Sequence, residues 1–240
     1  MITKLFVFGG SSSTPDFQVD SNLSWWGKMA LELGVDRVMN YSWPGNNLES
    51  ILHIIVSSPD MFNKNDYVVI GVPPVERATF FDEEKSEYYF TTLNKTLNES
   101  MKTKVQYHES LKQLSIHQLG KEIVNNWNRS WAEAIALRSI ITALLYIEKQ
   151  TPNVLITNLS KPFQTLQEKD NWPVLEGLQK QAENDPRIML FKDTYFSVNY
   201  KLNKPVDFTE FGWHGHHGPV GNQHWYNTSL KPKMKELGWI

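Results

Sequence analysis

Apolar residues along the chain fall into short unbroken runs that alternate with stretches of helical spacing. Lys4–Phe8 is the first such run, and it stops at Gly9 and Gly10 before four hydroxyl residues, Ser11 to Thr14. A short apolar run of this kind suits a strand buried on both faces of a parallel sheet better than an amphipathic one. Trp25, Trp26, Met29, Ala30 and Leu33 then recur at helical spacing, with Ser24 as the cap and Gly34 as the stop. Residues 35–40 predict a second strand, which completes a β-α-β unit whose right-handed crossover lays the two strands side by side and parallel. The polar turn Tyr41 to Asn47 leads into a helix over Leu48–Val56, and residues 66–72 predict a third strand that ends in Pro73-Pro74.

Beyond Phe81 the pattern weakens into mixed charged, aromatic and polar residues, which predicts an insert of irregular helices over about 81–125. The longest helical stretch is 123–149, with Ile123, Trp127, Trp131, Ile135, Leu137, Ile141, Leu144, Leu145 and Ile147 on an apolar face that packs against the core. Strands at 154–159 and 187–191 flank a helix at 174–183, and a last helix follows Trp225. This order predicts one α/β domain over residues 1–240, a three-layer α/β/α sandwich with a mostly parallel sheet of about five strands, flavodoxin-like in kind.

Charge and composition narrow the partners. Twenty-four basic residues against 26 acidic ones leave a net charge of -2, no footprint for nucleic acid or an anionic membrane. The chain has no cysteine, so disulfides, a thiol nucleophile and thiolate metal sites are unavailable. No run approaches a membrane span and none near Met1 reads as a signal peptide, which predicts a soluble protein, cytoplasmic by default, or one carried in a larger particle such as a virion. Nine tryptophans are many, and Trp43, Trp213 and Trp225 sit beside polar loops where a ring can stack on a sugar.

Three consecutive strands each deliver a glycine-containing loop to the carboxyl edge of the sheet, where open α/β sheets bind their ligands. Ser11 is the first candidate nucleophile there, although a glycine and serine cluster after a strand is by itself an ordinary turn. Near the end of the chain, Phe211-Gly-Trp-His-Gly-His-His-Gly-Pro-Val-Gly-Asn-Gln-His-Trp225 places three histidines within four positions, too dense for one helix face and therefore in a loop. His214, His216, His217 and His224 also suit a metal, but with no regular element to fix their spacing no metal or other cofactor is predicted.

These blocks resemble the SGNH hydrolases, also called GDSL-like esterases. Phe8-Gly9-Gly10-Ser11 stands where that family reads approximately Phe-Gly-Asp-Ser. Asn40 to Gly45 matches the loop after strand two, Gly71-Val-Pro-Pro74 stands where the family has Gly-x-Asn-Asp, and His216 with Pro219 and Gly221 matches the closing histidine block. The resemblance implies a serine esterase or deacylase with Ser11 as nucleophile and His216 as base, cleaving a small ester such as an O-acetyl group on a carbohydrate. The backbone N–H groups of Ser11 and Gly45 would then hold the oxyanion. The family's third-block asparagine falls at Pro73, so Asn46, Asn47 or Arg77 are the side chains left to replace it, Asn46 first. The family's aspartate falls at Trp213 or His214, which leaves a backbone carbonyl, Asp207 or Glu210 to orient the imidazole. Arg77, Trp43 and His214 are the candidate substrate contacts. The same fold as an inactive carbohydrate-binding or structural module, for example a virion component, is the second reading, and an acyltransferase would use the same residues.

Overall fold

Among the described residues five strands form one all-parallel sheet, in the order Arg37–Asn40, Lys4–Phe8, Tyr67–Val72, Val154–Asn158 and Ile188–Met189. The computed structural model describes residues 2–13, 21–43, 46–75, 77–82, 87–92, 129–160, 162–163, 173–200 and 218–240. The strands are β1 (Lys4–Phe8), β2 (Arg37–Asn40), β3 (Tyr67–Val72), β6 (Val154–Asn158) and β7 (Ile188–Met189), while β4 (Arg77–Asp82) and β5 (Glu87–Thr92) make a separate antiparallel pair. The helices are α1 (Trp25–Leu33), α2 (Leu48–Val56), α3 (Arg129–Ile147), α4 (Pro173–Asn184), α5 (Tyr195–Tyr200), α6 (Pro219–Trp225) and α7 (Lys231–Glu236).

The apolar runs are continuous because both faces of the sheet are covered. Phe6, Phe8, Val68, Ile70 and Ile156 point into one cluster with α2 and α3, through Ile51, Ile55, Ile140 and Leu144. Leu5, Val7, Val69 and Leu155 point into the other, with Trp25, Met29, Trp225 and Leu230. Helices on both faces of a parallel sheet make the expected three layers. The order places β1 between β2 and β3, so the chain reverses its direction of travel across the sheet there. In an open sheet that switch point opens the ligand crevice at the carboxyl ends of the strands.

Local signals set the helix ends. The Ser24 side chain accepts from Gly27 N at 2.9 Å and Gly34 closes α1 at φ 60°. Asn47 caps α2 by accepting from Ser50 N at 2.9 Å. Between α6 and α7 the chain makes a π turn over Tyr226–Leu230, with Lys231 N bonding back to Tyr226 O. Pro232 follows immediately; it has no N–H to give to the carbonyl four residues back and its ring crowds that carbonyl, which favours the wider turn.

Three expectations are corrected. The insert predicted as helical from about 81 opens instead with the β4-β5 hairpin, in which Phe80 faces Tyr89 and Phe81 faces Tyr88. Aromatic and β-branched residues at these positions favour pleated cross-strand pairs over a helix; residues 93–128 lie outside the described residues. The fifth strand is two residues, not five, because the Leu190 carbonyl is taken by Phe163 N at 3.0 Å and Asn158 Nδ2 at 3.2 Å and leaves the ladder. Leu145, assigned to the apolar face of α3, is 48% exposed. No helix among the described residues is long and apolar enough to cross a membrane.

Candidate active site

The turn that follows β1 is held by its neighbours rather than by its own length. Ser11–Ser13 forms a single 3₁₀ turn, closed by Ser13 N donating to Gly10 O at 2.9 Å. A Cβ on Gly9 would lie 2.6 Å from Ser13 Oγ and 3.3 Å from Gly71 O. A Cβ on Gly71 would lie 2.4 Å from Leu159 Cδ1. The two glycines therefore let the loops after β1, β3 and β6 approach one another more closely than side chains permit.

Two asparagines stitch the loop after β2 to this turn. Asn40, the last residue of β2, donates from Nδ2 to Ser13 O at 2.8 Å and accepts from Ser42 N at 2.9 Å. Asn46, wholly buried, donates from Nδ2 to Gly9 O at 3.0 Å and accepts from Asn47 N at 2.9 Å. Tyr41 N adds a bond to Val7 O at 2.7 Å. Asn46, the side chain that the resemblance puts first as a replacement oxyanion donor, thus stands beside the serine turn with one amide bond to Gly9 O.

A third set of contacts reaches the turn from the C-terminal segment. Asn222 on α6 is wholly buried and donates from Nδ2 to Gly218 O at 3.0 Å. Its Oδ1 accepts from Trp25 N at 3.3 Å and from Tyr195 OH at 3.5 Å. The Trp25 indole in turn donates to Ser12 O at 3.1 Å. Complete burial pushes the Tyr195 phenol far above its ordinary pKa, so it remains a neutral donor. On β6, Asn158 accepts from Ser160 N at 2.8 Å and, through its bond to Leu190 O, ties the ends of β6 and β7 together.

The residues singled out in the sequence stand as follows. Ser11 is the first residue of the 3₁₀ turn. Trp43 is half-buried and its carbonyl accepts from Asn46 N at 3.3 Å. Arg77 opens β4 opposite Thr92. Gly45, Asp207, Glu210, Trp213, His214, His216 and His217 lie outside the described residues. His224 is half-buried on α6, and among the described residues no group of three or more His, Cys, Asp or Glu could hold a metal ion. Trp225, one of the three tryptophans noted beside polar loops, is wholly buried with its ring edge-on to Tyr195 at 6.1 Å, so it is a core residue. The sequence reading missed Asn40, Asn158 and Asn222 as structural ties. Asn40 and Asn158 carry a usable signal, since each is a polar residue ending a strand run at the carboxyl edge.

The architecture is thus a three-layer α/β/α sandwich with a flavodoxin-like strand order and a cross-tied serine turn at its switch point. No protein-family model matches the sequence, and no curated protein matches it. Solved structures similar to this chain include a member of the lipolytic protein G-D-S-L family from Veillonella parvula, 8% identical, with a TM-score of 0.48 over 95% of this chain and 97% of that one. Phospholipase A1 from Streptomyces albidoflavus is 12% identical, with a TM-score of 0.49 over 97% of this chain and 100% of that one. An acetyl xylan esterase from the rumen bacterium Butyrivibrio proteoclasticus is 15% identical, with a TM-score of 0.47 over 100% of this chain and 64% of that one.

Proposed function

We propose that this chain is a serine esterase of the SGNH type, acting on a small ester, with O-acetyl groups on carbohydrate as the first substrates to try. The observation that carries the reading is the pair of asparagine ties, Asn40 to Ser13 O and Asn46 to Gly9 O, across 2.8 and 3.0 Å. Both act on the one turn that presents Ser11, at the switch point of the sheet. One half-buried and one wholly buried amide spent on this turn hold its backbone in place before substrate arrives, which is what an oxyanion hole requires.

In the proposed reaction Ser11 Oγ attacks the ester carbonyl while His216 takes its proton. The C–O bond to the alcohol then breaks, and the imidazolium returns the proton to the departing oxygen. Water, deprotonated by His216, attacks the acyl-serine, and the acid leaves as Ser11 regains its proton. The backbone N–H groups of Ser11 and Gly45 receive the oxyanion, with Asn46 fixing the Gly9 end of the hole. Pro73 contributes no donor, and one missing oxyanion donor costs about 3 kcal/mol, so turnover is slow beside an esterase with a complete hole. Asp207 or Glu210 would orient His216, and Trp43, Arg77 and His214 would contact the substrate.

Pro73 together with the inward-turned Asn46 amide favours one other reading, a carbohydrate-binding module on the same fold. Intact-mass and peptide analysis after fluorophosphonate treatment separates the two. Stoichiometric labelling of Ser11, lost in Ser11→Ala and in His216→Ala, is the expected result. Absence of label on folded wild-type protein would reject the esterase and make glycan binding the next assay.

A further inference from the structure

We infer that Asn222 is a positioning residue, which registers the segment carrying His216 against the turn carrying Ser11; the inference rests on the esterase reading above. Two side chains span the gap. Trp25 Nε1 holds Ser12 O at 3.1 Å, one residue after the nucleophile. Asn222 Oδ1 holds Trp25 N at 3.3 Å, and Asn222 Nδ2 holds Gly218 O at 3.0 Å, two residues after the base. The orientation of the Asn222 amide is dictated by its partners, since a backbone N–H demands the oxygen and a carbonyl demands the nitrogen.

Forming α6 does not call for this arrangement. Gly218 O already accepts from Asn222 N at 3.0 Å, so the side-chain bond to the same carbonyl is additional. The opposite is true at α1. Trp25 N is one of the amides at a helix start that have no acceptor within their own helix. Asn222 supplies that acceptor from 197 residues away, while Ser24 serves Gly27 N. Tyr195 OH, at 3.5 Å, approaches the same oxygen from α5 and helps hold the amide. One buried amide thus fixes the start of α1 to the start of α6, and the indole on α1 carries the constraint to the serine turn. A shift of either helix would move the serine turn relative to the start of α6.

The test compares wild type with Asn222→Leu, which removes both bonds at similar volume, and Trp25→Phe, which removes only the bond to Ser12 O. Fluorophosphonate inactivation of Ser11 is split into its binding constant and maximal rate at a temperature where every variant is folded. The maximal rate should fall about a hundredfold, the effect of a misplacement near 1 Å, with the binding constant and the pH midpoint unchanged. Hydrogen exchange in Asn222→Leu should rise together in peptides spanning 8–16 and 212–224, whereas in Trp25→Phe it should rise in 8–16 while 212–224, still held by Asn222, stays as in wild type; 66–72 is unaffected in both. Exchange in Asn222→Leu that rises only in 212–224, or an unchanged maximal rate in Trp25→Phe, would overturn the inference. Should wild type take no label, the esterase reading fails and the paired exchange decides the coupling alone. Should Asn222→Leu fail to fold, Trp25→Phe carries both readouts.

Discussion

The Asn46 side chain reaches from the loop after β2 to the carbonyl of Gly9 at the end of β1, a bond of 3.0 Å between buried partners. Both groups are buried, so the Gly9 carbonyl has no solvent to replace the amide with. Asn46→Ala strands Gly9 O and Asn47 N together, and leaving buried polar groups unpaired costs about 1–3 kcal/mol each. Chemical denaturation should show a lower midpoint with an unchanged slope. Fluorophosphonate labelling of the folded variant should slow as well, since Gly9 stands two residues before the proposed nucleophile.

Gly27 and Gly34 respond to alanine for different reasons. Helix propensity alone predicts that Gly27→Ala stabilises α1 by about 1 kcal/mol. The added Cβ, however, would lie 1.9 Å from the Ser21 carbonyl oxygen, a backbone atom that cannot rotate aside. Overpacking therefore decides the sign, and a loss of about 3 kcal/mol is expected, with disturbance of the Ser24 cap and of Trp25. At Gly34 nothing lies within 4 Å, and only the left-handed backbone at φ 60° opposes alanine, a loss of about 1–2 kcal/mol. Thermal melts of the two variants should rank them in that order.

Much of this fold was legible because its boundaries are set locally. β1 and α2 run over the residues that the sequence predicts, as glycines stop the one and Asn47 caps the other. The β4-β5 hairpin was not legible, since the register that sets Phe80 opposite Tyr89 and Phe81 opposite Tyr88 exists only between the two strands and leaves no period along either one. α5 was missed because six residues, Tyr195–Tyr200, are too few to display a period. At the site, the Gly-Gly-Ser turn and the asparagine-rich loop after β2 announce themselves by composition. The tie from Asn222 to Trp25 does not, because its partners are 197 residues apart and each looks like an ordinary helix residue.

Acid should weaken the approach to β7. Arg187 holds Asp185 by a side-chain ion pair at 2.7 Å and reaches Glu148 at the end of α3 at 3.0 Å. The hydrogen bonds from the Arg187 side chain lower the Asp185 pKa, and burial opposes them in part. A carboxylate whose folded pKa lies below its unfolded value contributes stability above the unfolded value, about 3.9, and loses it as pH falls through the folded one. Stability measured by denaturation should therefore drop below about pH 4, and Asp185→Asn should flatten that part of the profile while lowering the plateau at neutral pH. A profile unchanged by the substitution would show that the pair is formed equally in the unfolded chain.

Asp66 separates stability from the site. Its wholly buried carboxylate accepts from Lys4 N at 2.9 Å, from Asn63 N at 2.8 Å and from Asn63 Nδ2 at 3.1 Å. Its backbone carbonyl accepts from Thr151 Oγ1 at 2.6 Å, so one residue binds the starts of β1 and β3 to the turn after α3. Asp66→Ala leaves two or more donors buried and unpaired, which should cost about 3 kcal/mol or more. Lys4, however, opens β1 and Ser11 follows its other end, and five strand residues separate the two edges of the sheet by about 16 Å. A defect at the amino edge should lower the melting temperature yet leave the Ser11 labelling rate of the folded fraction as in wild type. Asn46→Ala, on the carboxyl edge, should move both. If Asp66→Ala slowed labelling as much as Asn46→Ala at equal folded fraction, the sheet would be transmitting strain along β1, and the asparagine ties would lose their claim to a local role.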